Sequence, residues 1–175
     1  MKYVLDFDRT LFDTEALYAA FVRDGVDYTQ LSPDMLQGYQ AADFLYPDTV
    51  PFLQQHQPSD VMILTAYNTA YGAQARAFQQ AKVEQVPIRD LVSDIHYVEQ
   101  DKAQSMRTIA ADCVAGEQLV FVDDLLEHCA SVKAAVPHCH CFLMQRQASS
   151  LTPPPGISII SSLHQIDELL AAAGA

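Results

Sequence analysis

Two carboxylates near the start of the chain are spaced so that both could act on one substrate. Asp6 and Asp8 follow the apolar run Tyr3-Val4-Leu5 and lie two residues apart. Because side chains alternate along an extended strand, we expect both carboxylates on one face. Carboxylates that close repel unless a cation or a shared proton lies between them. The pair indicates either a site for a hard cation such as Mg²⁺ or a turn whose side chains cap backbone groups.

Two later apolar runs also end in polar residues. Val61-Met62-Ile63-Leu64 is followed by Thr65, and Leu119-Val120-Phe121-Val122 is followed by Asp123 and Asp124. Continuous apolar runs separated by helical stretches are typical of a buried parallel sheet. Ligands bind such sheets outside the carboxyl ends of the strands. The pattern predicts an α/β fold, a three-layer α/β/α sandwich, with its site at that edge.

This set of residues resembles the motifs of the haloacid dehalogenase-like (HAD) phosphohydrolase superfamily. The segment Asp6-Phe7-Asp8-Arg9-Thr10-Leu11 looks like the first motif, Thr65 like the second, Lys102 like the third and Val122-Asp123-Asp124 like the fourth. The order along the chain agrees, and the resemblance covers nearly all of it. The family's fold would be a Rossmann-like parallel sheet with the first strand near its centre.

The resemblance implies a Mg²⁺-dependent phosphatase that hydrolyses a small phosphomonoester through an aspartyl phosphate. Asp6 would be the nucleophile, and Asp8 would be the general acid and then the general base. The Thr65 hydroxyl, the backbone N–H group of Ala66 and the Lys102 ammonium would bind the phosphoryl oxygens.

The implied metal ligands are the carboxylates of Asp6 and Asp123 and the backbone carbonyl of Asp8. Asp124 would bind the metal through water or orient Lys102.

Three nearby side chains have open roles at this stage. Asn68 either lines the phosphate-binding pocket or caps its own loop. Arg9 faces either a lid or the solvent. Glu127 is a candidate for a position behind the metal ligands.

Residues 13–45 are predicted to form a small helical cap, inserted into a core domain of residues 1–12 and 46–175. A helix is predicted after an Asp13 N-cap, and a second helix after a Ser32 N-cap. A parallel crossover needs only about a dozen residues, and the helix predicted within 47–55 already supplies it. The surplus segment therefore favours a lid over an ordinary connection.

Outside the insert, four expectations can be compared directly with a structure. The second strand is predicted to end at Leu64, so that Thr65 opens a loop. The other three are a helix over 69–81, a weak strand over 91–95, and a helix that contains Lys102 in its first turn after an Asp101 N-cap.

The composition limits the classes of binding partner that we expect. With 22 acidic and 10 basic residues, the net charge is −12, so nucleic acid is not expected to bind. No apolar stretch is long enough to span a membrane. The N-terminus enters the first strand directly, which predicts a cytoplasmic protein. The oligomeric state stays open.

Four cysteines are too few and too scattered for a disulfide framework. The stretch His138-Cys139-His140-Cys141 contains metal-binding residue types but lacks the spacing of structural zinc sites. We interpret Cys139 to Met144 as a fifth strand whose thiols face the core.

Two other functions use similar residues. A signalling receiver domain has an acidic pair, a phospho-accepting Asp, a Thr and a Lys, but in a different chain order. A non-catalytic HAD-like protein would bind a phosphorylated ligand or a partner without turnover. Sustained turnover would distinguish a phosphatase from both.

Overall fold

A parallel sheet of six strands lies at the centre of the computed structural model, which describes residues 1–99, 101–147 and 150–173. Its strand order is β3-β2-β1-β4-β5-β6, and all five neighbouring pairs are parallel. The strands are β1 (Lys2–Leu5), β2 (Val61–Tyr67), β3 (Asp94–Glu99), β4 (Leu119–Asp123), β5 (His140–Met144) and β6 (Ile157–Ile160).

Six α-helices connect and cover these strands. They are α1 (Thr14–Arg23), α2 (Thr49–Gln55), α3 (Ala75–Glu84), α4 (Ala103–Asp112), α5 (Leu126–Ala135) and α6 (Gln165–Ala173). Within the described residues, no helix combines the length and the apolar character needed to cross a bilayer.

The two faces of the sheet bury different hydrophobic clusters. Along β1, Tyr3 and Leu5 face one cluster and Val4 faces the other, as alternation requires. The first cluster includes residues of α1, α2, α3 and α6, and the second includes residues of α4 and α5. The predicted three-layer α/β/α sandwich is therefore confirmed, with β1 in the interior of the sheet.

Several predicted boundaries were displaced. Strand β2 runs on to Tyr67, so Thr65 lies inside the strand and the loop begins at Asn68. The third strand begins at Asp94, because its mostly half-buried residues give only a weak apolar pattern. The helix predicted over 69–81 is divided into a 3₁₀ turn at Thr69–Tyr71 and α3, and Gly72 between them has φ = +106°.

Two capping predictions met different outcomes. Asp13 is the N-cap of α1, and its carboxylate accepts a hydrogen bond from Ala16 N at 2.9 Å. Asp101 does accept from Ala103 N at 2.8 Å, but α4 begins only at Ala103, which leaves Lys102 at the cap position rather than in the first turn.

The segment over residues 13–45 contains one full helix, α1, and two 3₁₀ turns at Pro33–Leu36 and Ala41–Phe44. Ser32 makes no side-chain cap hydrogen bond, and the second predicted helix is only a single turn. Phe21 and Leu36 of this segment are buried in the same hydrophobic cluster as β1 and α3. The segment therefore packs directly on the sheet layer.

The thiols of the fifth strand face the core as expected. Cys139 and Cys141 are buried and unoxidised. The stretch is thus part of the packing between β5 and the helix layer that contains α5.

Candidate active site

The register of the three central strands places the predicted site residues at one edge of the sheet. Leu5, the last residue of β1, pairs with Ile63 of β2 and with Val122 of β4. Asp6 follows Leu5, and its backbone N–H donates to Val122 O at 2.9 Å. Asp123, which follows Val122, therefore lies beside Asp6 at the carboxyl end of the strands, as the sequence predicts.

Lys102 connects two of these carboxylates. Its ammonium donates to Asp6 Oδ1 and, at 2.7 Å, to Asp123 Oδ2. All three side chains are almost completely buried. Burial alone would lower the pKa of Lys102, but the two adjacent carboxylates raise it, so the lysine is held in its charged form.

Three carboxylates converge in a group that could hold a cation, which we call the cation group. One oxygen each from Asp6, Asp123 and Asp124 lies within 4.8 Å of the others. Burial, together with the neighbouring aspartates, raises the pKa of Asp6 well above its usual range and that of Asp124 to about 6. Lys102 alone does not offset this concentration of negative charge. The all-oxygen donor set and its excess charge fit a hard divalent cation such as Mg²⁺.

Asp123 is also oriented by groups from the start of α5. His128 Nδ1 lies 3.1 Å from both carboxylate oxygens, and Leu125 N donates to Oδ1 at 2.9 Å. Although burial opposes ionisation, Lys102 and His128 lower the pKa of Asp123. Our sequence reasoning missed His128, whose only signal is its place one turn after the fourth motif.

Asp8 lies apart from the three-carboxylate group and has different partners. Its Oδ1 accepts hydrogen bonds from Thr14 Oγ1 and Lys82 Nζ, and its Oδ2 accepts one from Gln79 Nε2. Burial opposes ionisation, but Lys82 and these hydrogen bonds lower the pKa of Asp8. These contacts hold the Asp8 side chain outside the cation group, which is compatible with a metal role through its backbone carbonyl alone.

The sequence reasoning also missed Lys82 and Gln79, although a signal for them exists. Helix α3 buries Ala75, Phe78, Gln79, Lys82 and Val83, which share one face of the helix. Two polar residues on an otherwise apolar helical face are unusual, because buried lysines and glutamines need partners. A search of the helix predicted over 69–81 for polar residues on its buried face would have identified Gln79, whereas Lys82 lies one residue beyond the predicted end.

Arg9 has a left-handed backbone conformation, with φ = +55°. Its guanidinium lies 2.7 Å from Glu15 of α1 and 3.6 Å from Asp124. The Arg9 side chain therefore meets both alternatives considered for it: it contacts Glu15 within residues 13–45 and Asp124 at the edge of the cation group, and it is also 44% exposed to solvent.

A cavity of about 480 Å³ opens above these residues. Asp6, Asp8 and Lys102 line it, together with Ala66, Asn68 and Glu127. Asn68 combines the two roles considered for it, because its Oδ1 also accepts a hydrogen bond from Ala70 N at 2.9 Å.

Thr65 is completely buried and is not among the residues that line this cavity. Its Oγ1 accepts a hydrogen bond from Gln79 Nε2 at 2.7 Å. The opposite side of the cavity is formed partly by the insert, from Thr14, Tyr18 and Leu31.

Comparison with known proteins supports the fold. A solved structure described as a haloacid dehalogenase-like family hydrolase from Xanthomonas campestris superposes with a TM-score of 0.62 at 15% sequence identity, over 98% of this chain and 95% of that chain. No protein-family model and no curated protein sequence matches the chain. The chain therefore has the HAD-like fold expected from its motifs.

Proposed function

We propose that this HAD-like chain is a Mg²⁺-dependent phosphatase that hydrolyses a small phosphomonoester through an aspartyl phosphate on Asp6. The observation that carries the proposal is the separation of four carboxylates into two environments. Asp6, Asp123 and Asp124 converge with Lys102 as a cation group. Asp8 is bound by other donors and remains available for proton transfer.

In the first half of the reaction, an Asp6 carboxylate oxygen attacks phosphorus while the bond between phosphorus and the leaving oxygen breaks. Protonated Asp8 gives its proton to the leaving oxygen. In the second half, Asp8 takes a proton from water, the water oxygen bonds to phosphorus, and the bond to Asp6 breaks. Inorganic phosphate and the free Asp6 carboxylate are the products.

The remaining residues stabilise charge during both halves. Lys102 balances charge on Asp6 and on the phosphoryl group. The Thr65 hydroxyl and the backbone N–H of Ala66 are assigned to the phosphoryl oxygens, and Asn68 to the rim of the same pocket. Asp6, Asp123 and Asp124, with the backbone carbonyl of Asp8, would hold Mg²⁺, which would supply positive charge against the phosphoryl oxygens.

We assign a small phosphorylated metabolite as the substrate. A cavity of about 480 Å³ accommodates a molecule of metabolite size. The net charge of −12 disfavours nucleic acid. The cytoplasmic location stays a prediction from the sequence, and cell fractionation would test it.

The direct test is phosphate release from 4-nitrophenyl phosphate and from a panel of phosphorylated metabolites. We expect turnover with Mg²⁺ and loss of turnover after chelation, with recovery when Mg²⁺ is restored. Undiminished activity after exhaustive chelation, or dependence on zinc alone, would contradict the proposal. Ligand binding without any turnover would instead favour the non-catalytic alternative.

The matched variants for this test are Asp6→Asn and Asp13→Asn. Asp6→Asn removes the nucleophile and should abolish turnover while the protein stays folded. Asp13 caps α1 and lies outside the cation group, so Asp13→Asn should keep turnover. More than a few per cent of wild-type turnover in Asp6→Asn, with contamination excluded, would show that Asp6 is not the nucleophile.

A further inference from the structure

Lys82 is a buried cation to which the reaction described so far gives no role. Its side chain is 2% exposed, and its ammonium lies 5.4–5.7 Å from the ring centroids of Phe7, Phe12 and Phe78. Removing an ammonium group from water is unfavourable unless an anion compensates it. A lysine in such a place is therefore fixed by whichever carboxylate it contacts.

That carboxylate is Asp8. Gln79, one helical turn before Lys82, binds the other oxygen of the same carboxylate and also Thr65 Oγ1. Asp8 in its ionised form can only accept, which fixes the orientation of the Gln79 amide. Because Thr65 Oγ1 accepts from Gln79, its own hydrogen stays free to donate. Two neighbouring positions of α3 thus hold Asp8 and orient Thr65.

These contacts leave one part of Asp8 free. Oδ1 accepts from both Lys82 and Thr14, whereas among the described residues Oδ2 accepts only from Gln79. The spare acceptor capacity is therefore on Oδ2. The Asp8 side chain is 23% exposed and lines the cavity above Asp6. A water molecule in this cavity could donate to that oxygen.

We propose that Lys82, supported by Gln79, is a positioning residue that holds Asp8 outside the cation group and directs its free oxygen at the water that hydrolyses phosphorylated Asp6. The inference rests on the proposed phosphatase function. The proton passes from that water to Asp8 Oδ2, the water oxygen bonds to phosphorus, and the phosphorus–oxygen bond to Asp6 breaks. Lys82 also lines the cavity, but its ion pair is with Asp8, and the proposed role is exerted through Asp8.

The two halves of the reaction should respond differently to the loss of Lys82. Nitrophenolate leaves readily without a proton, so the first half with 4-nitrophenyl phosphate needs little help from Asp8. The second half needs Asp8 in place as the base. A displaced Asp8 should therefore allow Asp6 to be phosphorylated and delay its hydrolysis.

The test compares Lys82→Met with wild type in the Mg²⁺-loaded protein. Methionine is apolar and of similar length, so it suits the ring-lined pocket. We expect steady-state kcat to fall about 10²-fold, with KM nearly unchanged. The first turnover should appear as a burst of about one equivalent of nitrophenol, and intact-protein mass spectrometry should detect the phosphorylated chain.

Lys133→Met is the matched control. Lys133 lies on α5, where its ammonium donates to Cys139 O at 2.8 Å, and it does not line the cavity. This variant should show wild-type kcat and no added burst. A burst in both variants would indicate a general effect of lysine loss and would overturn the inference.

A double-substitution cycle tests whether Lys82 acts through Asp8. The kcat of Asp8→Asn/Lys82→Met should equal that of Asp8→Asn within about threefold. If the double variant instead loses kcat by the product of the two single-variant factors, Lys82 has a role independent of Asp8, and the inference is overturned.

If Lys82→Met fails to fold, Gln79→Leu provides the deciding measurement. It keeps the lysine and removes the donor to Asp8 Oδ2, so a burst with a smaller loss of kcat is expected. A folded Gln79→Leu protein without a burst would overturn the inference.

The failure of this inference can be told apart from the failure of the proposed function. If wild-type protein releases no phosphate from any substrate, the proposed function is wrong. If wild type turns over but Lys82→Met loses activity without a burst, or keeps full activity, only the positioning role of Lys82 is wrong.

Discussion

Four aspartates and two lysines at the carboxyl edge of the sheet form two separate sets of contacts. Lys102 forms ion pairs with both Asp6 and Asp123, whereas Lys82 forms an ion pair with Asp8. Asp124 completes the cation group and meets Arg9 at its edge. Each acid has a partner set that suits a different task, so substitutions at the four positions should differ in kind.

The contrast between Asp8 and Asp123 gives the first prediction. Asp8→Asn should lower kcat by about 10²–10⁴-fold, because it removes general acid–base help. Its effect on metal affinity should be small, because the Asp8 side chain lies outside the cation group. Asp123→Ala should instead remove most of the metal affinity. Titration of each variant with Mn²⁺, followed by electron paramagnetic resonance, measures both affinities.

A loss of metal affinity in Asp8→Asn as severe as that in Asp123→Ala would mean that the Asp8 side chain is itself a ligand. Asp94→Asn is a suitable control. Asp94 is exposed and begins β3, so it lies at the opposite end of the strand from the edge that holds the site. It should change neither kcat nor metal affinity.

At this residue scale, the sequence predicts the residues that the fold brings to the strand ends, and it misses those that reach the site from a helix face. Asp6 and Asp123 follow apolar runs, so their place is readable from the chain alone. Lys82 and His128 reach the same edge only after α3 and α5 have packed. Their contacts depend on helix rotation, which a local pattern does not fix.

At the scale of elements, the strand pattern was the more reliable guide. The runs that form β1 and β4 are short, apolar and well bounded in the sequence, and each forms a strand there. Strand β3 is at an edge of the sheet and exposes both its ends. Such a strand lacks a continuous apolar run, which is why its predicted place was shifted.

The insert and the loop after β2 meet across the mouth of the cavity. Leu31 N donates to Tyr71 O at 2.8 Å. A Cβ added at Gly72 would lie 2.7 Å from Gln30 Oε1, so these two segments approach closely. Leu31 and Tyr71 both line the cavity. That residues 13–45 limit which substrates enter stays a prediction, and these contacts are its motive.

We expect that replacing residues 26–44 with a short Gly/Ser linker will change the order of preference among substrates. The protein should remain folded but lose stability, because Leu31 and Leu36 belong to the main hydrophobic cluster. Thermal unfolding and rates on a panel of phosphorylated metabolites measure the two effects. An unchanged order of preference would remove the insert from substrate selection, and global unfolding would make residues 26–44 part of the core.

At the scale of the whole molecule, a polar cluster joins parts of the chain that are far apart in sequence. Arg146, after β5, lies 2.7 Å from Asp48, stacks over Tyr46 at 4.1 Å and donates to Thr10 O. Asp48 also accepts from Leu163 N at 2.8 Å. The cluster therefore holds the loop after Asp8, the start of α2 and the segment before α6 together.

This cluster predicts a pH dependence of stability. Partial burial opposes ionisation of Asp48, but hydrogen bonds from Arg146 and from the chain near α6 lower its pKa in the folded protein. A lowered folded pKa contributes stability above the usual aspartate value of about 4 and loses it as the pH falls through the folded value. Asp48→Asn should therefore be less stable than wild type at about pH 7, and the difference should shrink below about pH 4.

Thermal unfolding of both proteins across this pH range measures the difference. Asp90→Asn, at an exposed position, should track wild type at every pH. A difference between Asp48→Asn and wild type that stayed constant on acidification would mean that the Asp48 charge contributes nothing to stability.

The burial of three thiols gives this chain a built-in reporter of its own opening. Cys129, Cys139 and Cys141 are buried, whereas Cys113 is partly exposed. A thiol-specific reagent should modify Cys113 rapidly and the other three only when β5 and α5 separate. The slow phase would therefore measure how often the sheet layer opens, in native buffer and without any engineered residue. Ligand binding at the far edge should slow this phase by mass action.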